Sequence, residues 1–195
     1  NGIMDRLVGA CVESNLDPKE WLLSECWPPK DSKKKTYCAA KNALLIEGDS
    51  PEEGKLNFTD DLSLSPYDRE ADNQGEWLQA LCGTTNEWSA RLFTKSFEQV
   101  TRLSGTPRVS FDAVLDCEDA ILSCALVDYG NAKRLNTVLE CEEDDPKRFE
   151  FESEETPFRI ITRGSMRARV KEDNASIRNI VPGQSNHFQL EMVPT

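Results

Sequence analysis

Ala120-Ile121-Leu122-Ser123-Cys124-Ala125-Leu126-Val127-Asp128-Tyr129-Gly130-Asn131 is the stretch on which the reading of this chain turns. Its first part is a nearly continuous apolar run of strand length, and it closes in a polar quartet. Just upstream, Val109, Phe111, Ala113 and Leu115 alternate with Ser110, Asp112, Val114 and Asp116. That period of two marks a half-buried strand. Cys117-Glu118-Asp119 supplies a tight polar turn between the two stretches, so they are expected to pair as an antiparallel hairpin. Gly130 permits positive φ and hence a sharp turn straight after the second strand. The Tyr129 ring is then exposed at the strand end with the Asn131 amide beside it. An aromatic face next to an amide oxygen suits a planar cation: the ring quadrupole attracts it and the amide accepts its N–H. The same pattern also fits a Tyr129 packed at a barrel rim above an ordinary Gly130-Asn131 turn.

Upstream, the texture differs. Ile3, Leu7 and Cys11, with Met4, Val8 and Val12 beside them, recur at helical spacing. Asp17-Pro18-Lys19-Glu20 reads as an N-cap, a first-turn proline and a capping-box glutamate ahead of Trp21-Leu22-Leu23. Tyr37, Ala40, Leu44 and Leu45 predict a further helix closed by Gly48. Asp49–Gly75 is rich in Asp, Glu, Ser, Pro and Gly and reads as a long loop or hinge. Trp77–Leu81 and Trp88–Phe93 read as short strands, and Phe97–Leu103, closed by Gly105, as a short helix. Downstream, residues 140–155 hold nine acidic side chains against Lys147 and Arg148. Phe149 and Phe151 alternate within them, which predicts an acidic-faced strand. A β-meander over Phe158–Thr162, Met166–Val170 and Phe188–Val193 completes the chain.

The 195 residues carry 35 acidic and 23 basic side chains, a net charge of −12. Such a chain lacks the basic face that neutralises phosphates, and anionic membranes are disfavoured for the same reason. A cationic peptide or protein fits better. No apolar run nears the ~20 residues that span a bilayer, and Asn1-Gly2-Ile3-Met4-Asp5 has no signal-peptide character. The seven cysteines include no CxxC pair, which argues against a zinc site and for buried thiols in a reducing compartment. Catalytic signatures are missing too: no GxSxG, P-loop, HExxH or Gly-rich dinucleotide turn occurs. A cysteine nucleophile would need His187, the one histidine, as its base; a plain strand or surface histidine is the simpler assignment. Carboxylates in the 140–155 run are expected to stay solvated, whereas acid/base work needs one desolvated.

The apolar strand running into Asp128-Tyr129-Gly130-Asn131 resembles the third strand of a Tudor domain, with Arg108–Leu115 in the place of the second. The elements on both sides resemble the extended Tudor type, a Tudor SH3-type β-barrel joined to a staphylococcal-nuclease-like (OB-like) β-subdomain. The fold class expected is therefore mostly β (α+β) with N-terminal helices. The division expected is residues 1–74 as a helical portion and acidic loop, 75–140 as the barrel core, and 141–195 as the acidic connection and closing meander. The resemblance implies a non-catalytic scaffold in a germline PIWI–piRNA silencing pathway. It would bind arginine/glycine-rich, and in this family often symmetrically dimethylated, tails of PIWI-family proteins. Tyr129 and Asn131 match the cage tyrosine and the guanidinium-binding asparagine, with Asp128 beside them. Phe111 and Phe93 stand where further aromatics would close the cage, and Leu126 replaces one. The second strand reads Val109-Ser110-Phe111-Asp112 where the family usually has Trp-Tyr-Arg-Ala. The resemblance implies no cofactor or metal and a cytoplasmic, perinuclear germ-granule location. Two other readings stay open: a degenerate-cage scaffold acting by self-association or folded-partner binding, and an enzyme of unrecognised fold using clustered carboxylates.

Overall fold

The computed structural model describes residues 8–14, 17–40, 43–48, 55–59, 89–99, 101–139, 149–170 and 176–195. Among these the regular structure is β-strand, with no α-helix. The chain divides into two units, Asn1–Lys30 with Ser104–Thr195, and Asp31–Leu103.

In the first unit the period-two stretch becomes β6 (Arg108–Val114), whose half-buried positions are Val109, Phe111 and Ala113. It does not form a hairpin with the next strand. Its partner is β9 (Ser185–Glu191), antiparallel, with Phe111 opposite Phe188 and Val109 opposite Leu190. The reason lies in the matching pattern of β9, where Asn186, Phe188 and Leu190 face inward. Pairing β6 with β9 superimposes two apolar faces, and register is set by such faces. The Phe111 and Phe188 rings pack with centroids 5.7 Å apart. They join Ala168, Ile180, Ala113, Leu115, Ala120, Leu122 and Met166 in the core. The Arg178 guanidinium lies 4.8 Å from the centre of the Phe188 ring, a cation–π contact.

The apolar run becomes the start of β7 (Ile121–Leu139), which pairs antiparallel with β8 (Phe149–Arg167). Both strands are 19 residues long, so each offers the other a ladder that the seven-residue β6 cannot. The Cys117-Glu118-Asp119 turn steers the chain toward β8 rather than back along β6. Asp119 Oδ2 accepts from Arg167 Nε at 2.5 Å and Oδ1 from the Arg169 amide at 3.3 Å. The Ala168 amide donates to Ala120 O at 2.8 Å. Partial burial works to raise the Asp119 pKa, but the Arg167 guanidinium and the Arg169 and Ala120 amides outweigh it and hold the carboxyl below 3.8. A depressed folded-state pKa means stability that is present above the unfolded value and lost as pH falls through the folded one. Asp119→Asn should therefore flatten the acid limb of the pH–stability curve below about pH 4. Urea midpoints taken from pH 6 down to pH 3 check this, and parallel acid limbs for the two proteins would contradict it.

Beyond β9 the tail crosses β8: Val193 N donates to Arg163 O at 2.9 Å and Thr162 Oγ1 to Val193 O at 2.6 Å. The same unit contains an N-terminal hairpin, β1 (Val8–Ser14) with β2 (Asp17–Ser24), irregular between Val12 and Glu13. In the second unit, β3 (Tyr37–Ala40) and β4 (Leu44–Glu47) form a hairpin, and β4 takes β5 (Phe93–Thr94) in parallel. The Gly48 amide donates to Thr36 O at 3.0 Å and Cys38 Sγ to Gly48 O at 3.0 Å, closing that hairpin. Lys35 pairs with Glu47 and Lys30 with Glu25 at 2.7 Å; as exposed pairs they contribute little.

Several expectations are corrected. Within the helices expected around 3–12, 17–27 and 37–45, residues 8–12, 17–24, 37–40 and 44–45 are strand, and none of the described residues is α-helical. Val8, Ala10 and Val12 also recur at period two, and cross-strand pairing overrides the capping signal of Asp17-Pro18-Lys19-Glu20. The mostly β class stands, but its N-terminal helices do not. Phe97–Leu103 carries no helix in its described part. Phe158–Thr162 and the start of Met166–Val170 lie within the single strand β8, not in successive strands of a meander. The Trp77–Leu81 strand, Trp88 and most of Asp49–Gly75 fall outside the described residues, as does 140–148 of the acidic run.

Candidate functional site

The quartet Asp128-Tyr129-Gly130-Asn131 does not end its strand. Tyr129 pairs with Phe158 and Ala132 with Thr156, so Gly130 and Asn131 stand against the single residue Pro157. This is a two-against-one β-bulge. Proline has no N–H to give the ladder, and Gly130 takes φ +120°, which suits glycine alone. The sequence thus places a ladder breaker and a backbone-permissive residue opposite one another, and the strand bulges and continues.

A guanidinium sits at this bulge, and it is the chain's own. Arg134 is only 9% exposed. Its Nε donates to Asp128 Oδ2 at 3.0 Å, one terminal nitrogen to Thr156 O at 2.6 Å and Thr156 Oγ1 at 3.2 Å, and the other to Gly130 O at 2.8 Å. A longer bond reaches Asp128 O at 3.4 Å. The planar fork of five N–H groups is the one side chain that can satisfy acceptors spread over both strands at once. No atom lies within 4 Å of where a Cβ on Gly130 would stand. The cost of Gly130→Ala is therefore conformational only, about 1–2 kcal/mol. A urea midpoint lowered by that amount is the expected result, and no shift would mean that the bulge relaxes freely.

The other expected site residues are distributed as follows. Asp128, Tyr129 and Asn131 are exposed at the bulge, and Leu126 is half-buried three positions before Tyr129. Phe111 lies in the β6–β9 sheet with its ring against Phe188. Phe93, in β5, belongs to the second unit.

Sequence reasoning did not single out Arg134, although Pro157 facing a glycine in strand register would have flagged the bulge. It also missed the outward face of β6 and β9. There Arg108 Nε and Glu191 Oε1 pair at 2.7 Å, and the register sets Ser110 opposite Gln189 and Asp112 opposite His187. His187 Nδ1 is 2.8 Å from Asp112 Oδ1, and Ser110 Oγ is 3.1 Å from His187 Nε2. His187 is thus an exposed strand histidine whose partners are a carboxylate and a hydroxyl, not a thiol.

Comparison with known proteins gives the family. The family model for the X-Pro dipeptidyl-peptidase C-terminal non-catalytic domain matches residues 1–195. An Xaa-Pro dipeptidyl-peptidase of Pediococcus pentosaceus is 23% identical over 216 residues, covering 100% of this chain and 27% of that protein. One from Ligilactobacillus salivarius is 24% identical over 192 residues, 90% of this chain and 23% of that protein. A third, from Lacticaseibacillus rhamnosus, is 30% identical over 105 residues, 48% of this chain and 13% of that protein. The chain spans about a quarter of the length of the first two relatives. No solved structure matches it.

These matches overturn the Tudor resemblance, and with it the PIWI partner, the arginine/glycine-rich ligand, the piRNA and germline assignment and the germ granule. The resemblance rested on a dozen residues; the family model covers the whole chain. The pairing of β6 with β9 and of β7 with β8 removes its structural basis as well, because the Tudor reading required β6 and β7 to be neighbours. The domain is described as non-catalytic, while the proteins carrying it are named as peptidases. Among the described residues no helix is long and apolar enough to cross a membrane. The chain belongs to the X-Pro dipeptidyl-peptidase C-terminal non-catalytic domain family.

Proposed function

We propose that this chain is the accessory module of an Xaa-Pro dipeptidyl-peptidase, one that supports a catalytic portion by packing rather than by supplying reacting groups. The observation that carries this is the match of the family model over residues 1–195, in relatives about four times as long. The rigid features of the chain suit such a role: two long paired strands, a bulge locked by a buried arginine, and a β6–β9 sheet anchored by Phe188. A reducing compartment such as the cytoplasm agrees with seven cysteines lacking any CxxC pair.

The test assays this chain alone on Ala-Pro-p-nitroanilide, beside the Pediococcus peptidase with and without its matching segment. The chain alone is expected to release no nitroaniline. The trimmed relative is expected to melt at lower temperature and to lose kcat/KM relative to the intact one. Hydrolysis by the chain alone overturns the proposal, as does a trimmed relative with unchanged melting temperature and kcat/KM.

A further inference from the structure

The geometry points to Ser110 as an acylatable nucleophile: a covalent modification site for activated esters, built by Asp112 and His187 on the outward face of β6 and β9. Three side chains are linked in series, carboxylate to imidazole at 2.8 Å and imidazole to hydroxyl at 3.1 Å. The order of the links decides what they can do. A carboxylate only accepts, so the neutral imidazole carries its proton on Nδ1, toward Asp112. Nε2 then presents its lone pair to the Ser110 hydroxyl, which is the tautomer and direction a general base needs.

The strands hold the array in place. Asp112 and His187 are opposite one another in the ladder, and Ser110 is two residues from Asp112 on the same face. Beneath them the neighbouring inward residues Phe111 and Phe188 are locked ring to ring, so the backbone under all three groups is pinned by the core. The register also sets Gln189 directly across from Ser110. At cross-strand spacing its carboxamide N–H can reach an oxyanion formed on the Ser110 oxygen's acyl group. His187 is 62% exposed and Asp112 71%; the site is open, so any acyl donor can approach but water is not excluded. That argues for a single acyl transfer, not turnover, and the family's non-catalytic description stands.

With p-nitrophenyl acetate as donor the step balances. Ser110 Oγ forms a bond to the carbonyl carbon, and the carbon–oxygen bond to the aryl group breaks. The electron pair leaves with p-nitrophenolate, and the hydroxyl proton passes to His187 Nε2 and on to buffer. A positioned general base is worth roughly 10²–10⁴-fold in such transfers, and an open site should sit at or below the low end.

The experiment treats this chain with p-nitrophenyl acetate and follows acetylation of each serine by peptide mass spectrometry. Ser165 and Ser185, exposed strand serines, serve as internal references. Ser110 is expected to acquire acetate at least about tenfold faster than either. His187→Gln is expected to bring it down to the reference rate, and Asp112→Asn to lower it by a smaller factor. Ser110→Ala should remove the fast phase and leave the Ser165 and Ser185 rates unchanged. A Ser110 rate equal to those references, or one that survives His187→Gln, overturns the inference. Neither result bears on whether the module supports a peptidase.

Discussion

Arg134→Met should cost the fold about 3 kcal/mol. The side chain is buried, and it donates to the Gly130 and Thr156 carbonyls, to the Thr156 hydroxyl and to the Asp128 carboxylate. Methionine fills a similar volume, so the loss is one of hydrogen bonding rather than of packing. Two carbonyls at a bulge, where Pro157 offers no N–H, are left without their donor; that of half-buried Thr156 costs about 1–3 kcal/mol, and that of exposed Gly130 less because water reaches it. The Asp128 carboxylate is 54% exposed and recovers solvation from water, so its share is small; Asp128→Asn alone should cost about 0.5–1 kcal/mol. Arg134→Lys restores the charge but not the fork. One ammonium cannot reach acceptors on both strands, so it should recover less than half of the loss. The melting temperature of the Met variant should fall by roughly 6–12 °C for a chain of this size. Urea midpoints of the three variants and the parent check the order. A Met variant within about 0.5 kcal/mol of the parent would show that water replaces the guanidinium and that the bulge does not need it.

That arginine also explains what could and could not be read from the sequence. The period-two signal at Val109–Leu115 is local, and it survives: β6 has the expected faces. The strand character of Ile121–Val127 and the positive φ of Gly130 were likewise legible, because each depends on neighbours in sequence. Partner choice was not. A tight turn at Cys117-Glu118-Asp119 argued for a local hairpin, but the apolar face of β9, more than 70 positions away, matches β6 better. The N-terminal stretch offered two periods at once, helical through Leu7 and Cys11 and extended through Val8, Ala10 and Val12. Pairing with β2 in the hairpin that follows at once decided between them. The quartet Asp128-Tyr129-Gly130-Asn131 suggests an incoming cation against the Tyr129 ring and the Asn131 amide, whereas the guanidinium found at the bulge is the chain's own and bonds the Asp128 carboxylate and the Gly130 carbonyl. That it comes from four residues downstream of Gly130 could not be seen without knowing that the strand continues past the bulge. A short motif reports the local backbone it needs; a family is shown only by agreement along the whole chain.

Gly164→Ala should be the most damaging single-methyl substitution in the first unit, at about 3 kcal/mol, the upper end for overpacking. A Cβ at this position would stand 2.7 Å from Leu190 Cδ2 and 2.9 Å from Met192 Cα, and closer still to the Glu191 carbonyl. Two of those three are backbone atoms, so no rotamer change relieves the clash. The backbone itself is held: next to the contact, Val193 N donates to Arg163 O at 2.9 Å and Thr162 Oγ1 to Val193 O at 2.6 Å. Leu190 and Met192 are 2% and 6% exposed, which leaves them no space to withdraw into. Relief therefore requires β9 to lift from β8, and that would open the layer beneath Phe188. Two measurements separate this from a general loss of stability. The urea midpoint should fall sharply for Gly164→Ala but stay within about 0.5 kcal/mol for Ser165→Ala, whose side chain is exposed. The Val193 amide should lose hydrogen-exchange protection well before the β7–β8 ladder does, because the crossing opens first. Equal midpoints for Gly164→Ala and the parent would mean that the tail of β9 does not press on β8, and the packing described for this corner of the fold would have to be abandoned.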